Sequence, residues 1–290
     1  MGWDLLWCLY FNDKMMEDYG LERPYQLVRD GKWTVDELAR YSKTAANLNG
    51  DDAYTDEPDG NSSFGTVTFY SGISKFIFSC GALYVTKDKN DVPVIDCGER
   101  FVNVCQKLAG FFGSEGVFMN TDDTKFFSLF TSGRAMFLGA EIKTSQQMRD
   151  LEWNFGLVPF PKYDAAQSEY MSTSAHQSAV LTIPVSNTDL ENTGLLFDAL
   201  SFESDRMVLD AYFDVTVAQK GLRNDDSIDM LQIIKRGRSY DIGVAYQWFN
   251  SIGDVVYNKV TVGDGDVVSA IEGKKASVQA EIDKTLEAIK

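Results

Sequence analysis

The stretch from Leu5 to Glu22, LLWCLYFNDKMMEDYGLE, decides the architecture. Leu5 to Phe11 is an unbroken apolar run of strand length, the signature of a strand covered on both faces. Asn12 then offers a side-chain oxygen to the free N–H groups at the start of a helix. Met15, Met16 and Tyr19 supply the apolar side of that helix, and Gly20 ends it.

Working outward, the same grammar recurs. Thr34 and Glu37 form a capping box, which satisfies two orphan backbone donors reciprocally. Leu38, Tyr41, Ala45 and Leu48 follow at helical spacing. Asn49 to Gly65 is polar and rich in Asp and Gly, hence a surface loop, and Thr66 to Tyr70 is a short β-branched strand. Phe101, Val104, Cys105, Leu108, Phe111 and Phe112 mark one face of a helix that Gly113 closes. A short helix over Lys125 to Thr131 stops at Gly133. Strands are expected at Ala135–Gly139, Trp153–Val158 and Ala179–Ile183. Helices follow from Asn187, from Asp205 to Phe213, from Ser227 to Lys235 up to Gly237, and over the tail from Val268 to Ile289. Helices alternating with short buried strands predict α/β layers rather than a bundle or a sandwich.

Composition removes whole classes of function. There are 290 residues, enough for about two domains. Lys and Arg number 27 against 43 Asp and Glu, a net charge of −16, which repels phosphate backbones and speaks against a nucleic-acid partner. No apolar stretch reaches the ~18–20 residues of a membrane span. The single histidine, His176, leaves Ser–His–Asp and multi-histidine metal chemistry short of parts. Cys8, Cys80, Cys97 and Cys105 form no CxxC pair and read as isolated buried thiols. No cofactor motif is present: neither GxGxxG nor a P-loop, and no HExxH or GxSxG either. The amino-terminal residues MGWDLLWCLYFND lack the positive region of a signal peptide, and Asp4 interrupts the apolar run.

The order of segments resembles the bacterial extracellular solute-binding proteins of family 1, the sugar-capture subunits of ABC importers. The segments are LYFNDKMMEDYGLE (9–22), GKWTVDELARYSKTA (31–45), FTSGRAMFLGA (130–140), WNFGLVPFPKYD (153–164), the helix pair from Asn187 to Phe213, and SYDIGVAYQW (239–248) with the final helix. The resemblance implies a type II periplasmic-binding-protein-like fold, two α/β lobes joined by crossing strands that close over ligand as a hinged trap. It assigns 1–10 to a crossover strand, 11–179 to the second lobe, 180–220 to a partial first lobe, and 221–290 to the return into the second lobe and the C-terminal helix. The second lobe is then complete. Because the chain begins in a core strand, it reads as the carboxyl-terminal part of such a protein. The implied setting is the extracellular face of the membrane as an anchored lipoprotein. A carbohydrate ligand and permease subunits are the implied partners, and the protein itself is a monomer.

A sugar presents apolar C–H faces and a ring of hydroxyls, so its site needs aromatic planes and a few carboxylates or amides. By segment order the resemblance places six candidates at the cleft. Tyr70 stacks or hydrogen-bonds, or is a core tyrosine at a strand end. Glu141 follows Gly139-Ala140 and accepts from hydroxyls, or is a solvated loop acid. Asp241, Tyr246 and Trp248 lie on one loop and helix start. At i and i+2 the two rings cannot share a helix side, so Trp248 is preferred as the stacking plane, with Tyr246 as the alternative. His176 precedes a crossover strand near the hinge. Trp33 and Trp153 read as core. The acidic loop over 49–60 resembles a calcium loop, but Asp52 stands where the turn glycine belongs and Pro58 where the bidentate glutamate belongs. Two other classes remain open: a glycoside-active enzyme, which needs two carboxyls at set separation, and a protein-interaction domain.

Overall fold

The computed structural model describes residues 4–70, 72–122, 124–174, 181–209, 211–213 and 224–289. In chain order these begin with β1 (Trp7–Asn12), α1 (Asp13–Asp18), α2 (Tyr25–Arg29), α3 (Val35–Ala45), β2 (Phe64–Phe69) and α4 (Gly72–Ser79). A hairpin of β3 (Val85–Lys87) and β4 (Pro93–Ile95) leads to α5 (Glu99–Phe112), β5 (Phe118–Thr121), α6 (Lys125–Thr131) and β6 (Ala135–Glu141). After a 3₁₀ turn come β7 (Phe155–Val158), β8 (Ser172–Thr173), α7 (Leu190–Glu203) and a π-helical continuation over Ser204–Leu209. The rest is α8 (Asp225–Arg236), β9 (Arg238–Ser239), α9 (Ile242–Ala245), α10 (Asn250–Thr261) and α11 (Val268–Ile289).

The main sheet has the order β5-β2-β6-β1-β7. β2 is parallel to β5 and β6, while β1 runs antiparallel to both of its neighbours. Every residue of β1 is buried, as its unbroken apolar run requires. Alternation sends Phe11 and Tyr10 to opposite faces. Phe11 meets the edge of Tyr25 at 5.3 Å, and Tyr10 meets Phe155 at 5.9 Å. Of the segment expected to cross between lobes, residues 1–10, Trp7 to Tyr10 therefore lie inside this sheet.

Local chemistry explains the elements. Asn12 Oδ1 accepts the Met15 N–H at 3.1 Å and starts α1; Gly20, at φ 65°, ends that turn. Thr34 Oγ1 accepts the Glu37 N–H at 3.4 Å, whereas the Glu37 carboxylate turns outward to Arg40 at 2.7 Å. All six residues expected on the apolar face of α5 are buried, and α6 spans the expected Lys125–Thr131. Trp33 is wholly enclosed, its ring against Tyr41 and Phe137 and its indole N–H donating to the Pro159 carbonyl at 3.0 Å. All four cysteines are free and buried; burial pushes the Cys80 and Cys97 thiols up to about 12.

Some expectations are corrected. Tyr19 and Leu48 are exposed, because α1 stops at Asp18 and α3 at Ala45. Leu181 to Ile183 form no strand and stand exposed; the first two residues of that expected strand, Ala179 and Val180, lie outside the described residues. The helix expected from Asn187 starts at Leu190 with Asp189 as its cap. It runs into the π-helical turn without the expected break before Asp205. α7 buries none of its side chains, although Phe213 is buried beneath the Lys235 ammonium, 4.1 Å from its ring. The acidic loop is pinned rather than free. Arg134 donates to the carbonyls of Ser62, Glu57 and Thr55 at 2.9, 2.7 and 2.6 Å, and Asp51 accepts from the Asn61 and Ser62 N–H groups. No helix among the described residues is long and apolar enough to cross a membrane.

Candidate functional site at the carboxyl edge of the sheet

Loops at the carboxyl ends of parallel strands are not consumed by the sheet, and an antiparallel strand set among them opens a crevice. Here β2, β5, β6 and β7 end on the side where β1 begins. Thr68 pairs with Gly139 and Trp7 with Glu141, so the register brings Tyr70, Glu141 and Trp7 side by side along that edge. Tyr70 is 48% exposed and meets the edge of Tyr257 at 5.8 Å. The Glu141 carboxylate lies 3.4 Å from the Lys143 ammonium.

Behind this edge, between α4 and α10, lies a cavity of about 410 Å³. Tyr70, Phe78, Tyr84 and Tyr257 give it aromatic walls; Lys75 and Asp254 bring one charge of each sign. Lys75 is only 4% exposed. Its Nζ donates to the Ser174 carbonyl at 3.2 Å and sits 5.9 Å from the centre of the Trp7 ring. Burial lowers its pKa to about 8, with the Glu141 charge acting the other way. The indole N–H of Trp7 is buried without an acceptor.

The other candidates sit elsewhere. Asp241 is buried and caps α9, accepting from the N–H groups of Gly243 and Val244 at 2.7 and 3.2 Å. It also accepts from the N–H groups of Tyr84 and Val85 at 2.5 and 3.4 Å. Burial raises its pKa even against those four donors. Its carboxylate is thus engaged in joining the α9 turn to the β3 strand. Tyr246 and Trp248 overturn the i, i+2 argument, because they are not on one helix. α9 ends at Ala245, α10 begins at Asn250, and Gln247 at φ 59° reverses the chain between them. The two rings consequently stack, 4.7 Å apart at 11°. Trp248 is the inner ring, 6% exposed, with Nε1 donating to Thr285 Oγ1 at 2.9 Å; Tyr246 is 55% exposed. Their neighbours Val244 and Phe249, not the stacked rings, line the cavity. His176 lies outside the described residues.

The sequence reading passed over Lys75, Trp7, Asp254 and Tyr257. For Lys75 a signal exists: it is the single charge in the apolar helix GISKFIFS, where a lysine has no polar face to occupy. No group of three or more metal-ligating side chains occurs among the described residues.

No protein-family model matches the sequence, and neither does any curated protein. Solved structures do match. A Listeria monocytogenes ABC substrate-binding protein in complex with cycloalternan superposes with a TM-score of 0.60 at 12% identity, over 98% of this chain and 71% of that one. A maltose/maltodextrin-binding domain from Bdellovibrio bacteriovorus bound to maltotriose gives 0.58 at 14%, over 96% and 71%. UgpB from Mycobacterium tuberculosis in complex with glycerophosphocholine gives 0.60 at 12%, over 97% and 70%. At such identities the likeness is one of fold: the chain has the α/β architecture of type II periplasmic binding proteins, with a five-stranded sheet and, after it in the chain, the helical segment of α7.

Proposed function

We propose that the protein is the substrate-binding component of an ABC importer that captures a carbohydrate between two lobes. The observation that carries the reading is an aromatic cavity that Tyr70 lines at the carboxyl edge of the sheet, the edge on which β6 ends at Glu141, in a fold shared with oligosaccharide-bound binding proteins. Residues 11–179 and 221–290 form the ligand-presenting lobe. Residues 1–10 and 180–220 lead to or belong to the other. Ligand bound between the lobes favours the closed arrangement through contacts made only there, and closure presents a surface to permease subunits at the extracellular face. The protein works as a monomer and performs no bond-making.

Tyr70 and Glu141 contact the sugar directly in this reading. Tyr246 is the accessible ring of the stacked pair, with Trp248 beneath it and Asp241 fixing the turn that carries both. The cavity wall holds one carboxylate, Asp254, among the described residues, whereas glycoside hydrolysis uses two.

Thermal shift against a panel of mono- and oligosaccharides tests the proposal, with chromatography of each sugar after incubation. A rise in melting temperature with intact sugar is expected, since a ligand that prefers the folded state stabilises it. Tyr70→Ala is expected to weaken binding about tenfold, roughly 1.4 kcal/mol of lost ring contact. Cleaved sugar would replace this reading with an enzyme, and a panel without any shift would remove it.

A further inference from the structure

We propose that Lys75 makes the site selective for an anionic carbohydrate, one bearing a carboxylate or phosphate group. This rests on the carbohydrate-binding reading and names the class of ligand within it.

A buried charge is ordinarily matched by an opposite charge, because leaving water costs several kcal/mol that a partner must offset. The Lys75 ammonium has three donors. One is used, on the Ser174 carbonyl at 3.2 Å. Among the described residues no carboxylate comes within 4.0 Å of it, although 17 ion pairs form elsewhere, nearly all on the surface. The indole N–H of Trp7, whose ring lies 5.9 Å from the ammonium, also lacks an acceptor. Lys75 lines the cavity, so its unused donors belong to that wall; Trp7 is not among the lining residues and shows only that the ammonium's surroundings hold no acceptor to spare. A neutral hydroxyl satisfies one donor and leaves the charge. An anionic group satisfies both.

Two carboxylates and the overall charge act against this. Glu141 acts on Lys75 through space, but its own carboxylate is offset by Lys143 at 3.4 Å. Asp254 lines the cavity and figures among the charges felt by Tyr84 rather than by Lys75. The net charge of −16 is distributed over the surface, and salt screens it beyond ~8–10 Å. The local ammonium, in hydrogen-bonding range and out of water, dominates.

The test pairs neutral sugars with their acidic counterparts: galactose with galacturonate, glucose with glucuronate and glucose 6-phosphate, and matched disaccharides. The panel is run by thermal shift and calorimetry on the wild type and on Lys75→Met, which keeps the unbranched stem. At least one acidic member is expected to bind about tenfold tighter than its neutral partner, and Lys75→Met is expected to abolish that preference. The uronate and phosphate arms separate the two anions. If Lys75→Met does not fold, wild-type calorimetry at pH 8 in two buffers of different ionisation enthalpy decides. An anion draws a proton onto Lys75 and makes the heat buffer-dependent. Equal binding of neutral and acidic partners, a preference that survives the substitution, or buffer-independent heat overturns the inference and leaves the carbohydrate reading standing. A panel in which no saccharide of either kind binds removes that reading instead, and this inference with it.

Discussion

Lys75 carries a consequence for stability as well as for ligand choice. In the unfolded chain it holds its proton up to about 10.5; in the fold it releases it near 8, because burial penalises the charged form. The folded state therefore binds fewer protons than the unfolded state between those values, and stability rises with pH across that window. At roughly 1.4 kcal/mol per pH unit the whole effect is on the order of 3 kcal/mol. We expect urea denaturation of the wild type to gain on Lys75→Met by that order between pH 8 and pH 10. Burial raises the pKa of Tyr10 and Tyr84, which lowers stability at still higher pH, but it does so equally in both proteins and cancels in the difference. A flat difference would mean that the amine is solvated in solution. Asp241 teaches a related lesson: an acid beside aromatic residues invites a ligand role from sequence, yet here four backbone N–H groups already engage it.

Elements were legible where one feature was both local and periodic. α5 and α6 could be read because their apolar spacing and closing glycines lie within the element itself. α4 was not read, since its side chains are buried nearly all round and its apolar run resembles a strand as much as a helix. The β3–β4 hairpin is three residues a side and is held from outside by the Asp241 bonds at its start. Strand β7 depends on a close approach that its sequence states only as a glycine. A Cβ at Gly156 would stand 2.2 Å from Tyr25 Oη and 2.3 Å from the Phe11 ring. Gly156→Ala must displace the edge-on Phe11–Tyr25 pair, so we expect about 1–3 kcal/mol of lost stability, read as a lower urea midpoint at unchanged slope. An unaltered midpoint would show that the pair shifts freely.

At the scale of the molecule, the core gathers around the main sheet while residues 181–209 hold apolar side chains in solvent. Leu190, Leu195, Leu196, Leu200, Phe202, Met207 and Val208 are all exposed. Such a surface invites association. Because α7 buries none of its side chains, replacing Leu195, Leu196 and Leu200 together by glutamine should leave the melting temperature within about 1–2 °C while lowering the aggregation seen by light scattering. A fall of many degrees would show that α7 packs on the lobe in solution.

The sequence by itself determined the α/β class, the starting strand, the caps at Asn12 and Thr34, and the apolar faces of α5 and α6, because each rests on neighbours along the chain. Only the tertiary structure decided which candidates lie near one another. Strand register, with Thr68 against Gly139, carried Tyr70 and Glu141 to one edge of the sheet although they are far apart in sequence. The turn at Gln247 stacked Tyr246 on Trp248, and burial of α4 left Lys75 as a cation without a carboxylate partner among the described residues. Those outcomes depend on pairing, burial and charge distance between distant segments, which a linear pattern of residues does not contain.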